Sequence, residues 1–217
     1  MEYMKIATLI VTRSKSCHVK TMHSVLRFNL RCMEKQGVEN EIVFLDEDPY
    51  RRSEAIQKYL RTHDRIFFID FGTSVDDNSL NKVLDTNEGV GVLVFPGVKE
   101  GVDWDMFREK VKNNSSEPVH QLGLHFDTDV TTKIEDDIYR VKSTTARTWV
   151  LMCKPVLRAL KDKRTGNVKI PPKLDVMFEK FKENKVNIVA YTAANITYVY
   201  THECVGNIIN SAGIKVS

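Results

Sequence analysis

Three apolar runs in the first third of the chain each break off at a polar or acidic turn, and two amphipathic stretches separate them. Ile6–Thr12 stops at Arg13-Ser14-Lys15-Ser16, Glu41–Leu45 runs into Asp46-Glu47-Asp48-Pro49, and Arg65–Asp70 meets a glycine turn at Gly72 and a further acid at Asp76. Short runs rich in β-branched and aromatic residues and bounded by turn signals suit the interior of a parallel sheet. Val19, Met22, Leu26, Leu30 and Met33 recur at three- and four-residue steps, and Ala55, Ile56, Tyr59 and Leu60 follow Ser53-Glu54. This spacing predicts two helices, the first with its Val19-to-Met33 stripe turned inward. Strand, helix, strand, helix, strand is the order of a doubly wound α/β unit. Right-handed crossovers bring the three strand ends to one rim, so Thr12 to Ser14, Asp46 to Asp48 and Asp70 to Asp76 are expected around a shared crevice.

Further along, Asp76 or Asp77 is read as the cap of a helix carrying Leu80, Val83 and Leu84, and Gly89–Pro96 as a fourth strand closed by proline. Asp103–Val111 reads as a helix with Trp104 and Phe107 inward. Asn113–Pro118 is the best internal break, too short to link independent domains. After it, Leu122–Phe126, Ile138–Val141 and Trp149–Met152 read as short strands in a smaller, more antiparallel section. Pro155–Leu160 and Leu174–Phe181 read as helices, Val186–Tyr191 as a strand, and Ile196–Cys204 as the lead into a small helical tail.

A chain of 217 residues with 42% hydrophobic and 28% charged content is expected to form one soluble domain spanning 1–217. Its 32 basic and 29 acidic residues are intermixed, so no basic block points to nucleic acid. Cys17, Cys32, Cys153 and Cys204 lie far apart with no C-x-x-C pair, which disfavours a zinc site or a disulfide framework and fits reduced thiols. The first residues lack the zones of a signal peptide and no apolar run is long enough to cross a bilayer, so a cytoplasmic location is expected.

The first strand with its small polar turn, the second strand ending in acid, Arg52-Ser53-Glu54-Ala55-Ile56 opening a helix, and the third strand ending Phe68-Ile69-Asp70 together resemble the nucleotide-sugar-binding half of GT-A-fold glycosyltransferases. The short length, the Trp104 helix and the Thr201–Asn207 tail are similar to small glycosyltransferase domains of chlorella viruses, which implies a viral protein working in a host cytoplasm. The resemblance implies a GT-A-like α/β domain: a Rossmann-like, mostly parallel sheet with helices on both faces, a nucleotide-binding half at 1–112 and an acceptor-side half at 113–217. It implies that Thr12, Arg13, Ser14, Asp46 and Arg52 contact the nucleotide, and that Asp70 holds Mn2+ or Mg2+ on the donor's diphosphate. His202 is implied as a further metal ligand. Where the family's D-x-D motif has its second acid, this chain has Gly72. A literal D-x-D stands later at Asp127-Thr128-Asp129, and Asp127 or Asp129 is the candidate catalytic base or acceptor contact. Arg147-Thr148-Trp149 and Lys154 fall where the family shapes its sugar and acceptor pockets.

The function expected from the resemblance is metal-assisted transfer of a sugar from a nucleoside diphosphate, uridine-linked, to a hydroxyl of a glycan or glycoprotein. A nucleotidyltransferase is the rival enzyme, although Thr12–Ser16 lacks the glycines such enzymes carry there. A catalytically silent nucleotide- or protein-binding module is the rival from another class, consistent with the broken D-x-D.

Overall fold

A computed structural model describes residues 3–85, 89–99, 101–117, 119–162, 164 and 166–199. In chain order the elements are β1 (Met4–Thr12), α1 (Val19–Glu34), β2 (Val38–Asp46), α2 (Pro49–Thr62), β3 (Arg65–Ile69), β4 (Thr73–Val75), α3 (Asp77–Leu84), β5 (Val92–Val94) and α4 (Trp104–Lys112). They continue with β6 (Thr128–Glu135), β7 (Ile138–Thr144), β8 (Thr148–Met152), α5 (Cys153–Leu160), α6 (Leu174–Glu183), β9 (Ile188–Tyr191) and β10 (Ile196–Tyr198). Eight strands form one sheet in the order β2-β1-β3-β8-β5-β9-β7-β6, and β4 pairs with β10 in a second, two-stranded sheet.

Strands β1, β2 and β3 are mutually parallel, β5 is parallel to β9, and β8 lies antiparallel between β3 and β5. The hairpin β6–β7 closes the far edge antiparallel to β9. This is a mixed α/β architecture with a mostly parallel central sheet, GT-A-like as the resemblance implies. The antiparallel β8 is inserted among strands from the first half of the chain, so the two halves share one sheet.

Side-chain alternation along β1 sorts the core into two layers. Ala7, Leu9 and Val11 meet α2, α5 and α6 on one face, where Phe68 stacks on the fully buried Trp149 with ring centroids 4.6 Å apart. Ile6 and Ile10 meet α1 and α3 on the other, where Phe28 lies edge-on to Phe67 at 4.9 Å. The helices start where the sequence supplies caps. Asp48 accepts from the Tyr50 and Arg51 amides ahead of Pro49, and Asp76 accepts from the Asn78 and Ser79 amides, the role expected for it.

Helix α1 is rotated from the face its apolar stripe predicts. Val19, Leu26, Leu30 and Met33 are exposed, Met33 at 75%, while Thr21, Ser24, Val25, Phe28 and Cys32 point inward. Two contacts fix this rotation. The Val75 amide donates to Ser24 Oγ at 2.9 Å, bringing β4 close to a small residue, and Arg27 and Arg31 both pair with Asp77 of α3. Helix α4 also departs from expectation, because it buries none of its residues and Trp104 is 62% exposed. Leu122–Phe126 forms no strand; Phe126 makes one isolated bridge to Val98, and the strand lies instead at Thr128–Glu135.

If α1 packs through Phe28 and presents Leu30 to solvent, Phe28→Ala should cost about 3–5 kcal/mol in urea denaturation. Leu30→Ala should shift stability by no more than about 0.5 kcal/mol. The opposite ranking would restore the face predicted by the stripe.

Candidate functional site

The carboxyl ends of β1 and β2 border a cleft of ≈ 370 Å³ lined by Thr12, Lys15, Cys17, Phe44 and Asp46. The Thr12 hydroxyl donates to the Leu45 carbonyl at 3.0 Å, tying the two strand ends together. The polar run after β1 turns back on itself, with Arg13 and Ser16 bonded in both directions through their backbones and Ser14 and Lys15 at φ 48° and 60°. Asp46 pairs with Arg51 at 2.7 Å, and Phe44 lines the cleft while 53% exposed. Alternation along β2 puts Phe44 and Asp46 on one face of the strand. The cleft therefore offers an aromatic surface beside a carboxylate.

Arginine and phenylalanine side chains connect this cleft to the end of β3. The Arg13 guanidinium lies 5.0 Å from the centre of the Phe71 ring and pairs with Glu47 at 2.7 Å. Beside Phe71 stands Asp70, and the antiparallel course of β8 brings Arg147 opposite it. Since Ile69 pairs with Thr148, the next residue outward on each strand is Asp70 on one and Arg147 on the other, and the Asp70 amide donates to the Arg147 carbonyl at 3.0 Å. Arg147 Nε then donates to Asp70 Oδ2 at 2.6 Å, and Nη2 to the Phe71 carbonyl at 3.1 Å. The other oxygen, Asp70 Oδ1, accepts from the Phe71 amide at 2.8 Å. Burial opposes the charge on Arg52, and the negative charge of Asp70 offsets part of that cost; Arg52 also lies over the Phe68 ring and donates to the Pro172 carbonyl.

Beyond Arg147 the network continues through Tyr198, whose ring centre is 4.8 Å from the guanidinium and whose hydroxyl donates to Asp127 Oδ2 at 2.9 Å. Asp127 Oδ1 accepts from the Gly97 amide at 3.1 Å and the Thr128 hydroxyl at 2.8 Å. Burial pushes the Asp127 carboxyl above the usual range, and these three donors counter part of the rise. Burial, then the charge of Asp127, pushes the Tyr198 hydroxyl up as well. At Asp127, expected as catalytic base or acceptor contact, the structure places a buried carboxyl with both oxygens engaged, which clamps the loop after β5 to β6 and β10. Asp129 is exposed, accepts from Ser143 at 2.7 Å, and lines a ≈ 140 Å³ cleft together with Asp127, Lys99, Asp175 and Glu179.

Two glycines make these approaches possible. A Cβ on Gly97 would stand 2.2 Å from the Tyr198 ring. Gly72, at φ +72°, accepts the Val199 amide on its carbonyl, and a Cβ there would meet the Val199 carbonyl at 2.9 Å. A side chain at the position of the second D-x-D acid is therefore excluded by the backbone of the segment after β10, not merely missing.

Of the residues expected at the site, Thr12 and Asp46 share the first cleft and Arg13 connects it to Phe71. Arg52 and Asp70 lie near each other, and Ser14 sits exposed at the turn. His202 lies outside the described residues. The ligand set for Mn2+ or Mg2+ is not assembled by those that are described: Asp70 is engaged on both oxygens, position 72 has no room, and no group of three His, Cys, Asp or Glu is arranged for a metal among the described residues. Sequence reasoning missed Lys15, Phe44 and Tyr198. Alternation with Asp46 marks Phe44, whereas the pairing of β10 with β4, which carries Tyr198 to the site, leaves no local signal.

No family model matches the chain, and no curated protein matches it in sequence, so the resemblance to viral domains gains no sequence support. Solved structures do match. The crystal structure of A197 from STIV superposes with a TM-score of 0.55 at 12% identity, over 91% of this chain and 87% of that one. GalNAc-T7 with UDP, GalNAc and Mn2+ matches at a TM-score of 0.46 and 8% identity, over 91% of this chain and 44% of that one. An inositol-1-phosphate CTP transferase from T. maritima matches at 0.46 and 8%, over 100% and 99% of the two chains. At these identities the likeness is one of fold.

Two measurements check the Asp127 clamp. Gly97→Ala should displace the Tyr198 ring and cost about 1–3 kcal/mol in chemical denaturation. The raised folded-state carboxyl of Asp127 binds its proton more tightly than the unfolded chain does. Stability tied to it is therefore fully present below the unfolded value, about 4, and is lost as pH rises through the folded one. Against the opposite trend of depressed carboxyls such as Asp77 and Asp103, the difference between wild type and Asp127→Asn isolates this fall. Parallel pH–stability curves would show that burial leaves Asp127 unshifted.

Proposed function

We propose that the chain is a glycosyltransferase that takes a nucleoside diphosphate sugar, uridine-linked, as donor. The observation carrying this reading is a line of side-chain contacts running from the cleft at the ends of β1 and β2 to the end of β3. An aromatic surface and a carboxylate suited to a base and ribose, Phe44 and Asp46, are joined through Arg13 and Phe71 to the arginines around Asp70. A nucleoside diphosphate has the same order of parts, with stacking and hydrogen-bonding groups at one end and two phosphates at the other. Phe44 stacks on the base, Thr12 and Asp46 hydrogen-bond to the nucleoside, and Arg13, Arg52 and Arg147 face the phosphates.

In the reaction, the bond between the sugar's anomeric carbon and the diphosphate oxygen breaks, and a bond to the acceptor oxygen forms. The leaving diphosphate takes the electron pair, and the acceptor's proton passes to a base or to solvent. Positive charge fixed at the end of β3 stabilises the charge that develops on the leaving group. Asp127 or Asp129, which line one cleft, takes the proton if the transfer inverts configuration. The pairing of Asp70 with Arg147 favours a second reading, a binding module without catalysis, and turnover of a UDP-linked sugar separates the two.

UDP in excess should raise the melting temperature; at 100 times Kd the gain is about 2.7 kcal/mol. Phe44→Ala should weaken UDP about tenfold or more, the loss of one base stack. The absence of a shift with any nucleoside diphosphate would sink the transferase reading.

A further inference from the structure

A second cleft opens at the opposite rim of the sheet, where β1 and β3 begin and β8 ends, and the transferase reading makes no use of it. Its volume, ≈ 570 Å³, falls within the range of small-molecule sites. Measured along the nine residues of β1, it lies about 25 Å from the crevice at Thr12. Its floor is apolar. Leu84 and Met152 belong to the core layer beneath α1 and α3, and Met4 and Val90 pack against that layer where they line the cleft.

We infer that this cleft binds a small phosphate monoester carrying an apolar body. Among the described residues, Lys35, Arg65, Lys154 and Arg158 line it against one carboxylate, Asp64. That carboxylate is already committed, since it accepts from the Lys5 amide at 3.0 Å and pairs with Lys154 at 3.1 Å. Lys35 donates to the Leu84 carbonyl at 3.1 Å and Arg65 to the Val83 carbonyl, neutral partners that orient the two cations without cancelling their charge. Burial opposes the charge on Arg65, and Asp85 and Asp64 offset part of that cost, so an anion in the cleft offsets more of it. Arg158 is exposed and has no hydrogen bond or ion pair among the described residues. It stands four positions after Lys154 on α5, which puts both on one face of the helix. Lys35, Arg65 and Arg158 thus remain as uncompensated charge beyond the Asp64–Lys154 pair. A phosphate monoester carries about two negative charges at neutral pH, and its three oxygens fit the planar fork of a guanidinium. The charged rim suits the phosphate, and the apolar floor suits the group esterified to it.

Calorimetric titration of the full chain with phenyl phosphate, inorganic phosphate and phenol tests this. Phenyl phosphate should bind about tenfold or more tighter than either fragment, because it alone engages both the cations and the floor. Arg158→Ala should weaken phenyl phosphate about tenfold while changing phenol by less than about threefold, and Arg158→Lys should recover part of the loss. Removal of this exposed side chain should leave the melting temperature within about 2 °C of wild type, which separates lost binding from damaged folding. Inorganic phosphate binding as tightly as phenyl phosphate would reduce the cleft to an adventitious anion patch and overturn the assignment. So would unchanged phenyl phosphate affinity in Arg158→Ala, or no binding of phenyl phosphate by wild type. None of these results bears on UDP, so the transferase reading stands or falls separately.

Discussion

The antiparallel seam between β3 and β8 is the contact on which the remaining structure depends. It stacks Phe68 on Trp149 inside the α2, α5 and α6 layer and joins the second half of the chain to the first. It also places β5 and β9 on the far side of β8, so the parallel strands on its two sides keep one direction and end at one rim. A parallel strand would bring its last residue to that rim; β8, running the other way, brings the residue before its start. That residue is Arg147.

Charge around the rim is arranged by burial as much as by pairing. Exposed pairs such as Arg51–Asp46 contribute little, because water screens them. Asp70 and Arg147 are mostly covered, so their attraction is stronger and the cost of separating them is higher. Asp127 is more deeply buried and satisfied by three donors rather than by a cation in contact, which makes it a fixed point of the loop. Three carboxylates that look alike in sequence thus take three roles: Asp46 lines an open cleft, Asp70 orients an arginine, and Asp127 anchors backbone.

Much of the fold was legible because strand composition and turn chemistry act locally. The first three strands, the Asp76 cap and the inward face of α2 follow from residues near one another in the chain, whereas α2 starts at Pro49 behind an Asp48 cap, one turn earlier than Ser53-Glu54 suggests. The face of α1 was not legible, since two of its faces are apolar and the choice was made by Ser24 against β4 and by Arg27 and Arg31 against α3, about fifty positions away. Strand β6 was missed because it alternates little and is almost wholly exposed. At the site, acids at strand ends could be read, but their partners could not. Asp70 and Arg147 are 77 positions apart, and Tyr198 and Asp127 are 71.

Because side chains alternate across a strand, a slip of one residue between β3 and β8 would turn Trp149 away from Phe68 and carry Arg147 past Asp70 in the same movement. The aromatic stack therefore acts as a gauge for the charged pair beside it. A chain that has packed its core in the wrong register cannot present a correctly assembled rim, and assembly of the rim reports on the fidelity of folding.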